Sequence, residues 1–248
     1  MRKLIRVDLP GVCRAYLVRK QQDVDSGKPV GPLWKKSRRT KTMKRVFDVL
    51  TKMTGVRCRC MYCEDSRGTT IEHFRPKSTY PERSFVWLNM LLLCQGCQNH
   101  KGDRFALDTN GDALLIDPTT EDPWDFLFFD SLTGIITGRF PPAGNQPHPK
   151  GEHTTLPTTL PLNIEAVTEG RLRTTRNLRR AVRSFLECSA ESQSTAESQR
   201  VLLEAVQDNG CYGLTAWFFL RDGRIESPFC ELESDHEPIW QVIARRMG

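Results

Sequence analysis

The sequence predicts an α+β protein whose centre is organised by two pairs of cysteines. Apolar residues recur at intervals of three and four over residues 37–53 and again over residues 164–188, which is the period of an amphipathic helix. Short β-prone runs separated by turn residues lie between these two segments. In each cysteine pair two residues separate the thiols, which is the spacing of a metal-binding turn.

The first 55 residues predict a basic helical region. The chain has 248 residues and a net charge of +6, but residues 1–60 hold 17 Lys and Arg against four Asp, and the remainder is net acidic. Gly55 ends the predicted helix. The predicted nucleic-acid-binding residues on this helix are Lys41, Lys44 and Arg45. The charge asymmetry favours a polyanionic partner, although a basic helix that contacts only solvent gives the same pattern.

The second half of the chain predicts a mixed region of short strands and helices. Three segments predict connections because they are rich in turn-forming or small polar residues: residues 21–32, 140–163 and 189–198. The sequence therefore divides into a basic helical region over residues 1–55, a core over residues 56–124 and a C-terminal region over residues 125–248. The apolar clusters at residues 214–220 and 238–243 could dock a partner protein, although burial in the core of the chain itself is the favoured interpretation of both.

The two cysteine pairs predict a structural zinc site. No apolar run approaches the ~20 residues that cross a bilayer, and the N-terminal sequence lacks the pattern of an export signal. We therefore expect a cytoplasmic protein, in which clustered thiols bind metal rather than form disulfides. Four thiolates complete a tetrahedral zinc site and leave no open position for catalysis. The predicted ligands are Cys60, Cys63, Cys94 and Cys97, with Cys58 as a competitor of Cys60 that only the two-residue spacing disfavours.

An acidic residue and a histidine lie side by side between the cysteine pairs. Residues 69–74 are β-prone, so Glu72 and His73 fall at the end of a predicted strand, just before Pro76. Adjacent residues of a strand point to opposite faces of the sheet. One group can then bind a metal ion while the other acts on a water molecule.

This succession of motifs resembles the HNH endonucleases, the ββα-metal class of nucleases. A cysteine pair, an acid-histidine pair, a middle Asn, a second cysteine pair and a Lys follow one another as in that class. Four segments are close to the PtuB-type HNH nucleases of Septu and retron-associated anti-phage systems: YCE at 62–64, IEHFRPKSTYP at 71–81, FVWLNMLLLC at 85–94 and KGDRF at 101–105. The resemblance implies a zinc-stapled ββα-metal core over residues 56–124, accompanied by a PtuA-type ATPase partner.

The resemblance also implies a role for each residue of the motif. His73 would be the general base that activates water, and Glu72 would bind one catalytic divalent ion, Mg²⁺ or another divalent cation. Asn89 would hold the loop and keep His73 in position. The residues implied to contact phosphate are Lys101, Arg75 and Lys77.

The chain departs from the family pattern directly after the fourth cysteine. The family usually has His or Asn there as the second protein ligand of the catalytic ion, whereas this chain has Gln98. A Gln oxygen can bind Mg²⁺ but its side chain is one methylene longer than that of Asn. Asn99 and His100 are the alternative ligands if the helix begins one residue later, and the departure also allows a weakened or inactive nuclease.

Two functions of different classes follow from these patterns. The first is a metal-dependent endonuclease of an anti-phage defence system, with DNA as the favoured substrate, RNA including tRNA as the alternative, and an ATPase or a retron complex as the partner. The second is a non-catalytic, zinc-stapled module that binds nucleic acid or a partner. Such a module needs the four cysteines but has no use for Glu72, His73 and Asn89 between them.

Overall fold

The computed structural model describes residues 1–190, 196–208 and 211–247 as a mixed α+β protein, mostly helical with two small sheets. One compact unit contains Lys3–Leu127 and Thr137–Leu162, and the other contains Phe128–Ile136 and the described residues from Asn163 onward. Among the described helices none has the length and apolar character needed to cross a membrane. The division of the sequence at residues 55 and 124 stays a prediction.

Three helices precede the first sheet: α1 (Gly11–Asp25), α2 (Val30–Ser37) and α3 (Lys41–Met53). The predicted helix over residues 37–53 is confirmed from Lys41 onward. It begins late because Ser37 ends α2 and the Thr40 hydroxyl caps α3 by accepting a hydrogen bond from the Met43 amide at 3.3 Å. Gly55 follows α3 with φ +80°, the left-handed conformation in which helices commonly end.

The connection predicted over residues 21–32 is mostly wrong. Helix α1 continues to Asp25 and α2 begins at Val30, so a turn separates the two helices only over residues 26–29. The polar residues that suggested a flexible segment form the last turn of α1 instead. One of them, Gln21, makes long-range hydrogen bonds to the loop that surrounds the candidate site.

The first sheet is a short antiparallel pair followed directly by a helix. Strand β1 (Thr70–His73) pairs with β2 (Met90–Leu93), which places Glu72 opposite Leu91 and His73 opposite Met90. Every residue of β2 is buried, and α3 packs against this strand. Helix α4 (Gln95–Lys101) follows β2 after Cys94, whose thiolate or thiol sulfur accepts a hydrogen bond from the Cys97 amide at 3.4 Å.

The N-terminal segment is fixed to the second strand by an arginine. The Arg6 guanidinium donates to the carbonyl oxygens of Met90 at 2.7 Å and Leu88 at 3.0 Å, and it lies 5.0 Å from the centre of the Trp87 ring. Burial lowers the pKa of Arg6 to about 10, so the side chain stays charged at neutral pH. These contacts hold the chain at Arg6 against the start of β2.

A second small sheet pairs β3 (Leu127–Phe129) with β4 (Ile136–Gly138), and helices make up the regular structure described after it. These helices are α5 (Pro149–Thr155), α6 (Glu165–Ala190), α7 (Ala196–Asp208), α8 (Leu214–Leu220), α9 (Phe229–Asp235) and α10 (Glu237–Met247). The loop predicted over residues 140–163 is wrong over Pro149–Thr155, which form α5 with Pro149 as the first helical residue. The helix predicted over residues 164–188 is confirmed as α6. The linker predicted over residues 189–198 is helical at both ends, and residues 191–195 of it lie outside the described residues.

We expect Gly68→Ala to destabilise the first unit. A Cβ atom at Gly68 would lie 2.4 Å from Cγ of Leu92, a fully buried residue of β2. Such overpacking costs about 1–3 kcal/mol, which lowers Tm by several degrees in thermal unfolding. Gly31→Ala is the matched control because nothing lies within 4 Å of the added Cβ. Equal Tm values for the two variants would contradict this account of the packing around β2.

Candidate metal centre and active site

The four predicted cysteines form one buried cluster. Their sulfur atoms all lie within 4.8 Å of one another, and the Sγ atoms of Cys63 and Cys94 are 3.8 Å apart. Four ligands at a Zn–S distance of about 2.3 Å stand about 3.8 Å apart at the corners of a tetrahedron. The predicted ligand set is therefore confirmed as a cluster, and its geometry fits a structural zinc ion.

Cys58 is not part of the cluster. Its backbone has φ +47°, its side chain is half-buried, and its thiol lies 3.8 Å from the carbonyl oxygen of Val56. Cys60 is fully buried among the other three ligands. The two-residue spacing therefore identified the correct member of the Cys58–Cys60 pair.

The thiols of the cluster compete for protons. Hydrogen bonds from the other three cysteines lower the pKa of Cys94, whereas burial raises the pKa of Cys60. A buried thiolate needs a nearby positive charge, since its desolvation is otherwise costly. A zinc ion would supply that charge and hold all four sulfurs as thiolates.

Glu72 and His73 serve different sides of the end of β1. The Glu72 carboxylate accepts a hydrogen bond from the Gln98 amide of α4 at 2.8 Å. The His73 ring lies on the other side, with its centre 4.4 Å from that of Trp34 in α2. The alternation of a β-strand thus separates the carboxylate from the imidazole, as the sequence predicted.

The surroundings of His73 fix its protonation. Its Nε2 atom lies 2.9 Å from the carbonyl oxygen of Ser84, which can only accept, so Nε2 carries the proton and Nδ1 keeps its lone pair. Burial lowers the pKa of His73 to about 4, and the positive charges of Lys77 and Lys101 act in the same direction. His73 is only 1% exposed, and its imidazole is therefore neutral at neutral pH. A neutral imidazole with a lone pair is the form that a general base requires.

Asn89 closes the loop that follows His73. Its side-chain oxygen accepts from the Arg75 amide at 2.7 Å, and its side-chain nitrogen donates to the carbonyl oxygens of Arg75 and Arg83, each at 3.0 Å. The Phe74 amide also donates to the Asn89 carbonyl at 2.8 Å. The buried amide thereby joins both ends of the loop, which is the geometry expected of a positioning residue.

Of the three candidate ligands on α4, Gln98 is the one that contacts Glu72. Asn99 accepts a hydrogen bond from Gln95 at 2.7 Å, and Nδ1 of His100 lies 3.0 Å from the carbonyl oxygen of Gly96. Both side chains are exposed and are engaged along their own helix. Because α4 begins at Gln95, directly after Cys94, the fourth helical residue faces β1. The helix start therefore places Gln98 beside the carboxylate.

The predicted phosphate-contacting residues lie in different environments. Lys101 is fully buried, and its ammonium is 3.9 Å from the Glu72 carboxylate, so its neighbour in the structure is this acid rather than solvent. Burial lowers the pKa of Lys101, and the charge of Glu72 opposes that shift. The Arg75 guanidinium lies over the rings of Tyr80 and Phe105, at 5.3 and 5.1 Å. Lys77 is half-buried.

The predicted basic residues of α3 are all exposed, but they do not share one environment. Lys41 and Lys44 line a cavity that extends to Gln98, whereas Arg45 is not among its lining residues. Of the three residues of α3 that were predicted to bind nucleic acid, two therefore line the cavity beside the candidate site.

Sequence reasoning missed three groups around His73. Trp34 covers the imidazole, the Ser84 carbonyl fixes its tautomer, and Gln21 accepts from the Phe85 amide at 2.8 Å while donating to the Pro81 carbonyl at 3.2 Å. A backbone carbonyl leaves no trace in the residue type, so Ser84 had no signal. The isolated Trp in the basic region was the one signal that pointed to a packed α2.

We expect Cys94→Ser to lose zinc and to lower stability. Serine keeps the size of the side chain but removes one thiolate from the cluster, and loss of a structural metal ligand removes folding free energy. Zinc per chain, measured by elemental analysis, should fall well below the single ion of the wild type, together with a lower Tm. Cys58→Ser, outside the cluster, should keep both. A folded Cys94→Ser protein with a full zinc content would refute the site.

Comparisons with known proteins give a partial relationship. No family model matches the chain. Over 68 residues it is 37% identical to the Septu protein PtuB of Bacillus thuringiensis, a match that covers 27% of this chain and 25% of that protein. The chain thus matches about a quarter of the length of this curated relative. The match supports the predicted PtuB resemblance over those 68 residues only, as a distant similarity.

Proposed function

We propose that the chain is a metal-dependent HNH endonuclease that hydrolyses phosphodiester bonds in nucleic acid. The observation that carries the proposal is the end of β1, where Glu72 bonded to Gln98 and the neutral His73 occupy opposite sides of one strand. The strands β1 and β2 lie between the two cysteine pairs, and α4, which carries Gln98, begins directly after Cys94 and contains Cys97. That succession corresponds to a zinc-stapled ββα-metal core.

Glu72 and Gln98 are the proposed ligands of the catalytic divalent ion. A carboxylate oxygen and an amide oxygen are the hard donors that Mg²⁺ prefers, and Mg²⁺ usually keeps several water ligands. In the described structure the Gln98 nitrogen faces Glu72, so Gln98 must turn its amide by half a turn to present its oxygen. The bound ion would neutralise the charge that develops on the phosphate oxygens.

His73 is the proposed general base. Its Nδ1 atom takes a proton from a water molecule whose oxygen forms a bond to phosphorus, while the bond from phosphorus to the leaving ester oxygen breaks. The leaving oxygen gains a proton from water. The Ser84 carbonyl keeps the proton on Nε2 and stabilises the imidazolium that forms, and Asn89 holds the loop that carries this carbonyl.

We place this activity in anti-phage defence because of the similarity to the Septu protein PtuB. The proposal includes a PtuA-type ATPase as the partner, alone or in a retron complex, and residues 125–248 as the docking region. The exposed basic residues of α3 favour a polyanionic substrate. DNA is the first substrate to test, and RNA including tRNA is the second.

A non-catalytic zinc-stapled module is the second candidate function. One observation favours it: His73 is only 1% exposed, with its Nε2 atom satisfied by Ser84 and its ring covered by Trp34. This is also the environment of a histidine that serves packing alone. Against it, a binding module has no need for a buried Lys101 held 3.9 Å from Glu72 or for the Glu72–Gln98 hydrogen bond.

We expect His73→Ala to abolish cleavage. Loss of a general base typically lowers the rate by about 10²–10⁴. The assay uses plasmid, single-stranded DNA and total RNA with Mg²⁺, with and without a PtuA-type ATPase, and zinc content and Tm confirm that the variant folds. His236→Ala, which changes a half-exposed histidine of the second unit, is the matched control in the reactions without the ATPase. A wild-type cleavage rate for His73→Ala would show that His73 is not the general base. Absence of cleavage by the wild-type protein, even with the ATPase partner, would favour the non-catalytic binding module.

We expect Gln98→Ala to raise the Mg²⁺ concentration that gives half-maximal cleavage. Removing one of two protein ligands weakens binding of the divalent ion, and the substitution leaves all four cysteines of the cluster in place. Gln98→His, which introduces a residue type usual in the family at this position, should keep or raise activity. If His100→Ala shifts the Mg²⁺ requirement and Gln98→Ala does not, the ligand assignment is wrong.

A further inference from the structure

A cavity of about 620 Å³ lies beside the candidate site. Its walls come from the end of α2 and the first half of α3 on one side, and from β1 and α4 on the other. Pockets of about 300–1,000 Å³ are the usual size for small-molecule and cofactor sites. The cavity is therefore large enough for one nucleotide.

Four basic residues surround the cavity: Arg38, Arg39, Lys41 and Lys44. All four are exposed, and within the described ranges none forms an ion pair with a carboxylate. The described lining contains no Asp or Glu. Uncompensated positive charge at the mouth of a cavity attracts an anion such as a phosphate group.

The floor of the same cavity is apolar and aromatic. Trp34, Met43 and Phe47 contribute to it, and Phe47 is the one of the three that is half-exposed. Phosphate groups alone gain nothing from such a surface. A nucleobase does, because every base has a flat π-face that stacks on aromatic side chains.

Two side chains connect the cavity to the proposed catalytic centre. Gln98 lines the cavity and donates to the Glu72 carboxylate at 2.8 Å. Trp34 lines the cavity and lies 4.4 Å, ring centre to ring centre, from His73. A nucleotide in the cavity is therefore in direct contact with residues that touch both the proposed metal ligand and the proposed base.

We propose that the cavity receives one unpaired nucleotide of the substrate strand, with its base against Phe47 and its phosphates on the basic residues. The inference rests on the proposed nuclease function, which identifies the polymer and the neighbouring centre. A base in a duplex is stacked on both faces, and extracting it costs a few kcal/mol. The site thus selects single strands, loops and unpaired ends over regular duplex.

The test separates the base from the phosphates. Binding of the full chain is measured by fluorescence anisotropy without Mg²⁺, using a labelled 16-nucleotide strand, the same strand with three abasic positions at its centre, and the corresponding duplex, as DNA and as RNA. Base–aromatic stacking of about 1–3 kcal/mol corresponds to about 5–150-fold in affinity. We expect the intact strand to bind at least about fivefold more tightly than the abasic strand and the duplex.

Variants of α3 assign that difference to the cavity. Phe47→Ala should remove the preference for the intact strand, and Phe47→Tyr should keep it. Lys44→Ala should weaken the intact and abasic strands alike, because it removes a phosphate contact. Lys52→Ala makes the same charge change at an exposed position of α3 outside the described cavity lining, and it should leave both affinities unchanged.

Several outcomes would overturn the proposal. Equal affinity of the wild type for intact and abasic strands would do so, as would a preference that survives in Phe47→Ala. If Phe47→Ala weakens binding of mononucleotides but not of strands, the cavity binds a free nucleotide instead. Failure of the nuclease function is distinguished by the cleavage assay, since strand preference is measured without cleavage.

Discussion

The arrangement of the site depends on the four-cysteine cluster. Cys60 and Cys63 precede β1 while Cys94 and Cys97 begin α4, so the cluster joins the two ends of a segment of more than 30 residues. A two-stranded sheet of four residues per strand is marginal by itself in water. Closing the segment at both ends removes much of its loop entropy and fixes α4 against β1. The 2.8 Å contact between Gln98 and Glu72 follows from that constraint.

Within this frame, the alternation of β1 gives two adjacent residues opposite electrostatic surroundings. Glu72 faces an amide donor and a buried ammonium, so its negative charge is compensated. His73 faces Trp34 and a backbone carbonyl in a buried position, where the neutral ring is favoured. Divergent environments of this kind assign different tasks to neighbouring titratable groups. Asn89 maintains the difference, because its hydrogen bonds hold the loop that supplies the carbonyl.

The features that local rules control could be predicted from the sequence. Two-residue spacing identified Cys60 over Cys58, and Gly55 marked the end of α3, because a turn geometry and a backbone conformation are encoded by residues next to them in the chain. Features that depend on distant contacts could not. The identity of the Glu72 partner depends on where α4 begins, which the Cys94 cap sets, and Trp34 reaches His73 only after α2 folds over β1. The helix α5 was missed because Pro149 reads as a loop signal and also as a first helical residue.

Some of the basic residues that make the N-terminal region positively charged lie together in the structure. Of the 17 Lys and Arg in residues 1–60, four surround a cavity whose floor is aromatic and whose wall includes Gln98. A basic helix that only contacts solvent would distribute its charge without regard to such a cavity. The basic residues attract phosphate groups independently of the nucleotide sequence. The aromatic residues beside them can stack only on a base that is accessible. Because Gln98 and Trp34 line this cavity and also contact Glu72 and His73, the proposed selection of the strand and the proposed hydrolysis of its backbone would share two side chains of the first unit.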